Sequence, residues 1–234
     1  MISDKVTSNS VVLKRPRALL FDWDNTLVDT WEVIHRALVV TFEAMGQKPW
    51  TLEEARQRVR ASARDSFPRL FGDRADEAIE IFYTSIRQHH LEMLRTRPLA
   101  EELLRQAAAY PDVILSVVSN KNGDLLREEA EFLRWQMYFY KLIGAMDAPK
   151  DKPDPSAVEL ALSGSGIAPG PEVWFVGDTD IDMVTAYKSG CPAVLIRETP
   201  PVGDEFGACP PHLYFSDCRT FGDHLREIFA PGTG

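Results

Sequence analysis

Two aspartates, Asp22 and Asp24, stand directly after the apolar run Ala18-Leu19-Leu20-Phe21, with Thr26 two positions further on. Along an extended chain, residues two apart point the same way, so these carboxylates are close enough to repel. Neighbouring carboxylates both stay ionised at low cost only with a cation between them. Oxygen ligands of this kind suit Mg²⁺, which binds through few carboxylates and keeps several waters. A carboxylate screened in this way can approach a phosphate ester and attack phosphorus. Its neighbour can protonate the leaving oxygen and then activate water. Three further segments offer groups for the same chemistry. Ser119, Asn120 and Lys121 end the run that begins at Val113. Lys152 opens Lys152-Pro153-Asp154-Pro155, and Asp178 and Asp182 follow Val173-Trp174-Phe175-Val176-Gly177. A lysine and a serine hydroxyl can hold phosphoryl oxygens while charge shifts among them. Asp178 is the natural further metal ligand.

These groups lie far apart in the chain, so the fold must gather them. The runs at 18–21, 113–119, 173–176 and 193–196 read as strands buried on both faces, the pattern of a parallel sheet. A weaker strand follows at 212–215. Helical patterns lie near 98–109, 123–135, 155–165 and 180–189. Strands alternating with helices imply βαβ units with right-handed crossovers. In open sheets of this kind ligands bind at the carboxyl ends of the strands, where every residue named above falls.

The segment after the aspartate pair is different. Trp31, Ile34, Leu38, Thr41 and Met45 recur at helical steps, closed by Gly46. Leu52, Ala55 and Val59 suggest a second helix, and Ala78, Ile79, Phe82, Ile86 and Leu91 a long one. No strand pattern occurs from about 30 to 95. The fold class is therefore α/β, a doubly wound parallel sheet with an all-helical insert after its first strand. Residues 1–29 and 96–234 form the core, and 30–95 the insert. Residues 60–67 read as a loop of that insert. From it Arg64 could meet a second anionic group such as a carboxylate, which its guanidinium fork matches. Lys121 could likewise face the substrate.

The 234-residue chain carries 26 Lys and Arg against 35 Asp and Glu, a net charge of −9. That balance argues against a nucleic-acid face, which needs clustered basic residues. A local site can still take a small polyanion. Cys191, Cys209 and Cys218 are too widely spaced for a zinc knuckle or a dense disulfide framework, which favours a reducing cytoplasmic setting. The polar N-terminal arm, to about residue 14, has no long apolar stretch of the signal-peptide kind, and no run of about 18 apolar residues would span a membrane. His89 and His90 point apart on a helix and do not make a metal pair. Trp135, Tyr138, Phe139 and Tyr140 read as packing rather than a base-stacking platform, since no phosphate track accompanies them.

Taken together, the motifs resemble those of the haloacid dehalogenase superfamily. Phe21-Asp22-Trp23-Asp24-Asn25-Thr26-Leu27-Val28-Asp29-Thr30 resembles its first motif, DxDxT. The run ending at Ser119 resembles the second, Lys152 the third, and Gly177-Asp178-Thr179-Asp180-Ile181-Asp182 the fourth. Over about residues 17–200 the resemblance implies a Mg²⁺-dependent phosphatase working through an aspartyl-phosphate. Asp22 would be nucleophile and Asp24 general acid and base, giving the metal a backbone carbonyl as well. Thr26 would orient Asp24, and Ser119 and Lys152 would bind the phosphoryl group. Asp178 would hold the metal, and Asp182 would bind beyond it or hold Lys152. Asn120, Lys121, Thr26 and Arg64 complete the expected substrate contacts. The insert resembles the helical cap of phosphoglycolate-phosphatase-like members. Asn25 departs from the glycine often found there, but asparagine tolerates left-handed backbone. Dehalogenases and phosphonatases of the superfamily lack the second aspartate, so Asp24 favours phosphoester chemistry. The expected partner is a small phosphorylated metabolite, with phosphoglycolate as first choice and a monomer or homodimer as assembly. A phosphomutase of the β-phosphoglucomutase type and a non-catalytic phospho-ligand binder are the alternatives.

Overall fold

The structure is a computed structural model that describes residues 13–230. The polar arm expected at the N-terminus lies almost wholly outside the described residues. In chain order, β1 (Ala18–Phe21) leads through a two-residue strand β2 (Val28–Asp29) to four helices. These are α1 (Trp31–Ala44), α2 (Leu52–Arg58), α3 (Ala63–Phe71) and α4 (Ala75–Met93). A second two-residue strand, β3 (Arg95–Thr96), pairs antiparallel with β2, so the helical segment enters and leaves through one narrow ribbon. The chain continues through α5 (Ala100–Ala108), β4 (Ile114–Asn122), α6 (Gly123–Phe132), β5 (Lys141–Ala145), α7 (Ser156–Leu162) and β6 (Val173–Gly177). It ends with α8 (Asp180–Lys188), β7 (Ala193–Ile196), β8 (Leu213–Phe215) and α9 (Cys218–Phe229).

The main sheet has six parallel strands in the order β5-β4-β1-β6-β7-β8. β1 lies in its interior, flanked by β4 and β6, so the three strands that carry Asp22, Ser119 and Asp178 are neighbours. Burial of β1 is complete, and its side chains alternate between the two faces of the sheet. Leu19 and Phe21 pack with Leu103, Leu104, Phe221 and Leu225 of α5 and α9. Ala18 and Leu20 pack with Val158, Phe175 and Met183 on the side of α7 and α8. A third apolar cluster, built on Leu38, Phe42, Ala55, Phe67, Phe71 and Ala78, holds the helical insert together.

Three expectations need correction. β5 was not foreseen. It is a short edge strand that begins with a lysine, and only its last three residues are buried. Gly144 lets it lie close, because a Cβ there would sit 2.4 Å from the Gly123 Cα. Residues 60–67 are not one loop, since Ala63 to Phe71 form α3 and only 60–62 are irregular. The helix expected over 123–135 stops at Phe132, where Arg134 turns to a left-handed φ of 59°.

Candidate active site

Asp22 directly follows β1, with its amide bonded to the Val176 carbonyl on β6, which fixes the strand end against its neighbour. The chain then leaves the sheet in a tight turn. Asn25 takes φ 64°, and its side-chain oxygen accepts a bond from the Thr30 amide at 3.3 Å. The left-handed geometry expected of this asparagine is therefore present.

Asp22 belongs to a cluster of carboxylates. One oxygen from each of Asp22, Asp178 and Asp182 lies within 4.8 Å of the others. Lys152 enters this cluster from the loop before α7. Its Nζ donates to Asp22 Oδ1 and Asp182 Oδ1, each at 2.7 Å. Asp182, on the first turn of α8, is fully buried. Its other oxygen, Oδ2, accepts from the amides of Asp178 and Thr179 at 3.1 and 3.0 Å and from the Thr179 hydroxyl at 2.8 Å. Gly177 permits this packing, because a Cβ there would meet the Asp182 Cγ at 2.3 Å. Both Asp182 oxygens are thus engaged, and this residue holds Lys152 and the start of α8. Thr26 does not orient Asp24. Its hydroxyl faces Asp178 Oδ1 at 3.2 Å and Asp22 Oδ2 at 3.5 Å.

Three carboxylates share one ammonium, a deficit of two charges when all are ionised. Burial pushes the Asp22 carboxyl up to about 7, with Asp182 and Asp24 adding to the rise against the opposing pull of Lys152. Burial, then Asp182 and Asp22, push Asp178 well above the ordinary carboxylate range. For Lys152 burial works against the ammonium, but Asp182 and Asp22 together outweigh it and keep the side chain protonated. A buried, oxygen-only donor set short of two positive charges fits a hard divalent cation. Asp22 and Asp178 are the residues placed to hold it.

The Asp24 carboxylate is not one of these three, although its charge adds to the rise at Asp22. Its Oδ1 accepts from the Thr30 hydroxyl and from Lys121 Nζ, each at 2.7 Å. Lys121 also reaches Glu129 Oε1 at 3.1 Å. Burial opposes the charge of Lys121, yet Asp24 and Glu129 raise its pKa above the ordinary lysine value. Lys121 is therefore committed to two carboxylates and is not free for substrate. Glu129 on α6 is completely buried and accepts from Trp23 Nε1 at 2.7 Å, with His90 Nδ1 at 3.1 Å. Burial works against the ionised form of Glu129, but Lys121, His90 and Trp23 hold its carboxyl below the ordinary range. Sequence reasoning missed Thr30, Glu129 and His90. Glu129 had a signal, since it falls four residues after Leu125 on the buried stripe of α6. So did His90, four after the buried Ile86 on α4.

Ser119 and Asn120 lie within β4, at its carboxyl end. The Ser119 hydroxyl accepts from the Lys121 amide at 3.2 Å, and Asn120 Nδ2 donates to the Lys152 carbonyl at 3.1 Å. Asn120 thereby ties the second segment to the lysine loop. Arg64 is not at the site. It pairs with the buried Asp151 at 2.6 Å and so fastens α3 to the loop that carries Lys152. Arg60 makes a second link of this kind, with Asp180 on α8 at 2.9 Å. The aromatic cluster is packing, as expected: Trp135 is buried edge-on to Trp23, with ring centroids 5.8 Å apart.

Asp22, Asp24, Ser119, Asn120, Lys121, Lys152 and Asp178 open into one cavity, closed on the other side by the helical insert. No helix among the described residues is long and apolar enough to cross a membrane.

Known proteins were compared with the chain. The profile of the haloacid dehalogenase-like hydrolases matches residues 19–196. The phosphoglycolate phosphatase of Aquifex aeolicus is 28% identical over 183 residues, which covers 76% of this chain and 84% of that one. The pyrophosphatase PpaX of Listeria monocytogenes is 30% identical over 146 residues, covering 62% of this chain and 67% of that one. Among solved structures, a haloacid dehalogenase-like hydrolase from Streptococcus pneumoniae superposes with a TM-score of 0.77 at 21% identity, covering 89% of this chain and 97% of that one. At that identity the likeness is one of fold. A superfamily hydrolase from Ehrlichia chaffeensis gives 0.62 at 27% identity, covering 92% and 98%.

Proposed function

This chain belongs to the haloacid dehalogenase-like hydrolase family and is a hydrolase of phosphate esters, and on that premise we propose that it is a Mg²⁺-dependent phosphatase of a small phosphomonoester working through phospho-Asp22. The observation that carries the reading is the division between its two aspartates. Asp22 lies in the carboxylate cluster with Lys152 at 2.7 Å, whereas the Asp24 carboxylate is bound by Thr30 and Lys121.

An oxygen of Asp22 attacks phosphorus and the bond to the ester oxygen breaks. Asp24 gives its proton to that leaving oxygen, so an alcohol departs. Water then attacks the acyl-phosphate, Asp24 takes the water's proton, and inorganic phosphate and the Asp22 carboxylate are restored. Lys152 and Ser119 hold the phosphoryl oxygens in both steps. Asp182 keeps Lys152 in place, and Asn120 holds the loop beneath it. A bound Mg²⁺ would offset the negative charge between the phosphate and the carboxylates that hold it. The helical insert covers the reaction and keeps bulk water out. We place this activity in the cytoplasm. All three cysteines are free thiols, and burial raises Cys191 and Cys218 to about 11, keeping them protonated and unreactive.

The test is phosphate release from a panel of phosphomonoesters, with and without Mg²⁺, for wild type and Asp22→Asn. Phosphoglycolate, the substrate named for several relatives, belongs in the panel. Release that needs Mg²⁺ and disappears in the variant supports the proposal. Release that survives Asp22→Asn refutes it.

A further inference from the structure

The cavity that receives the phosphate continues into the helical insert, and its character changes there. On the sheet side it is lined by carboxylates, lysine and serine. On the insert side Trp31, Ile34, Trp50, Phe67, Leu70 and Phe82 form its wall. Its volume is about 150 Å³. That volume includes the end that takes the phosphate, so the apolar part beyond it is smaller.

The charges around this chamber are all engaged. Four basic side chains line it: Arg58, Arg60, Lys121 and Lys152. Arg58 lies over the Trp50 ring at 5.1 Å and pairs with Glu54. Arg60 is bound to Asp180 and to the carbonyls of Arg56 and Val59. Lys121 and Lys152 are each shared between two carboxylates. A carboxylate brought into this chamber would have to compete with a protein carboxylate for any of these cations. Two polar atoms of the lining do lack partners, the buried Ser62 Oγ and Asn120 Oδ1. Asn120 Oδ1 can only accept and Ser62 Oγ can donate or accept, so together they suit a substrate hydroxyl.

We infer that the group esterified to the phosphate is uncharged and largely apolar, seated against the aromatic and aliphatic wall of the insert, with a hydroxyl tolerated beside Ser62 and Asn120. This deepens the phosphatase reading and rests on it. It also sets this chain apart from the carboxylated substrate named for its phosphoglycolate phosphatase relatives. The chamber would act on specificity alone, since none of its six apolar residues touches the reacting oxygen atoms of Asp22 or Asp24 through a hydrogen bond.

The experiment uses wild-type protein with Mg²⁺ and three esters of simple alcohols: benzyl phosphate, ethyl phosphate and phosphoglycolate. A second arm measures calorimetric binding of benzylphosphonate and phosphonoacetate, which cannot be hydrolysed. Burying the ring should raise kcat/KM for benzyl phosphate about ten- to a hundredfold over ethyl phosphate, with phosphoglycolate no better than ethyl phosphate. That result supports the assignment. If phosphoglycolate equals or exceeds benzyl phosphate, the assignment is overturned while the phosphatase reading stands. If none of the three releases phosphate but benzylphosphonate binds at least about tenfold tighter than phosphonoacetate, as ring burial requires, the chamber is assigned correctly and hydrolysis is refuted. Absence of both release and preferential binding overturns both.

Discussion

Replacing the nucleophile should make the metal-free protein more stable. Asp22 is 6% exposed and has no cation of its own, because Lys152 divides itself between Asp22 and Asp182. Its carboxyl is pushed from an ordinary 3.8 up to about 7, first by burial and then by the charges of Asp182 and Asp24 acting against Lys152. A raised carboxyl pKa means that the folded chain binds this proton more tightly than the unfolded chain does. The stability this confers is complete below about pH 4 and is lost as pH rises through about 7. The ceiling of that loss is about 4 kcal/mol. Asp22→Asn is a neutral isostere that avoids it. At pH 8 in EDTA the variant should exceed wild type by about 2–4 kcal/mol, or about 5–15 °C in Tm for a chain of this size. At pH 5 the advantage should fall to less than half, and it should vanish only below about pH 4, where Asp22 is protonated in both the folded and the unfolded chain. Thermal and urea unfolding at both pH values measure this. Excess Mg²⁺ at pH 8 should restore wild type by about 2.7 kcal/mol at a hundred times its Kd, and should help the variant far less. A variant no more stable than wild type at pH 8 would show that Lys152 compensates Asp22 fully, and the argument for a cation-deficient cluster would fail.

Three further outcomes follow from the same geometry. Lys121→Met leaves Glu129 and Asp24 with an uncompensated buried charge and should cost about 3–5 kcal/mol; the double variant with Glu129→Gln should cost at least about 1 kcal/mol less than the sum of the two, measured by urea unfolding. Arg64→Ala removes the partner of the buried Asp151 and should lower stability by about 1–3 kcal/mol and raise KM, whereas Arg60→Ala breaks an exposed pair and should change stability by less than about 1 kcal/mol. Asn25→Ala should cost about 1–2 kcal/mol at its left-handed φ, and Asn25→Gly should lie close to wild type in thermal melts.

Much of this site could be read from the chain because its residues stand at strand ends. A short run such as Ala18 to Phe21 has one plausible home in a parallel sheet, and the residue after it has one plausible exit. Asp22, Ser119 and Asp178 were placed together on that ground alone, and β1 does lie between β4 and β6. What period-two reasoning could not supply is the behaviour of the chain once it leaves the strand. Alternation brings Asp24 to the same cavity as Asp22 but does not reveal what its carboxylate is bonded to. The charge of Asp24 still raises Asp22, but its own carboxylate is bound by Thr30 and Lys121. The family resemblance points Thr26 at Asp24, whereas its hydroxyl faces Asp22 and Asp178.

What sequence spacing leaves open is the partners of the basic side chains. Arg64 and Lys121 were read as candidates for substrate because a basic side chain near a phosphate site invites that reading. Each is instead consumed by a buried carboxylate, Asp151 for Arg64 and Glu129 with Asp24 for Lys121. The apolar stripe of α6 carried a warning. A glutamate in line with Leu125 must bring its own cation, and the nearest lysine at a strand end is the one already assigned to substrate. The same accounting governs specificity. A net charge of −9 does not prevent a local cationic pocket, but where each lining lysine and arginine already pairs with a protein carboxylate, a second anionic group on the substrate must compete for its cation. What the insert can still offer is apolar surface. That is why its aromatic side chains, read from the sequence only as helix periodicity, bear on which ester the enzyme accepts.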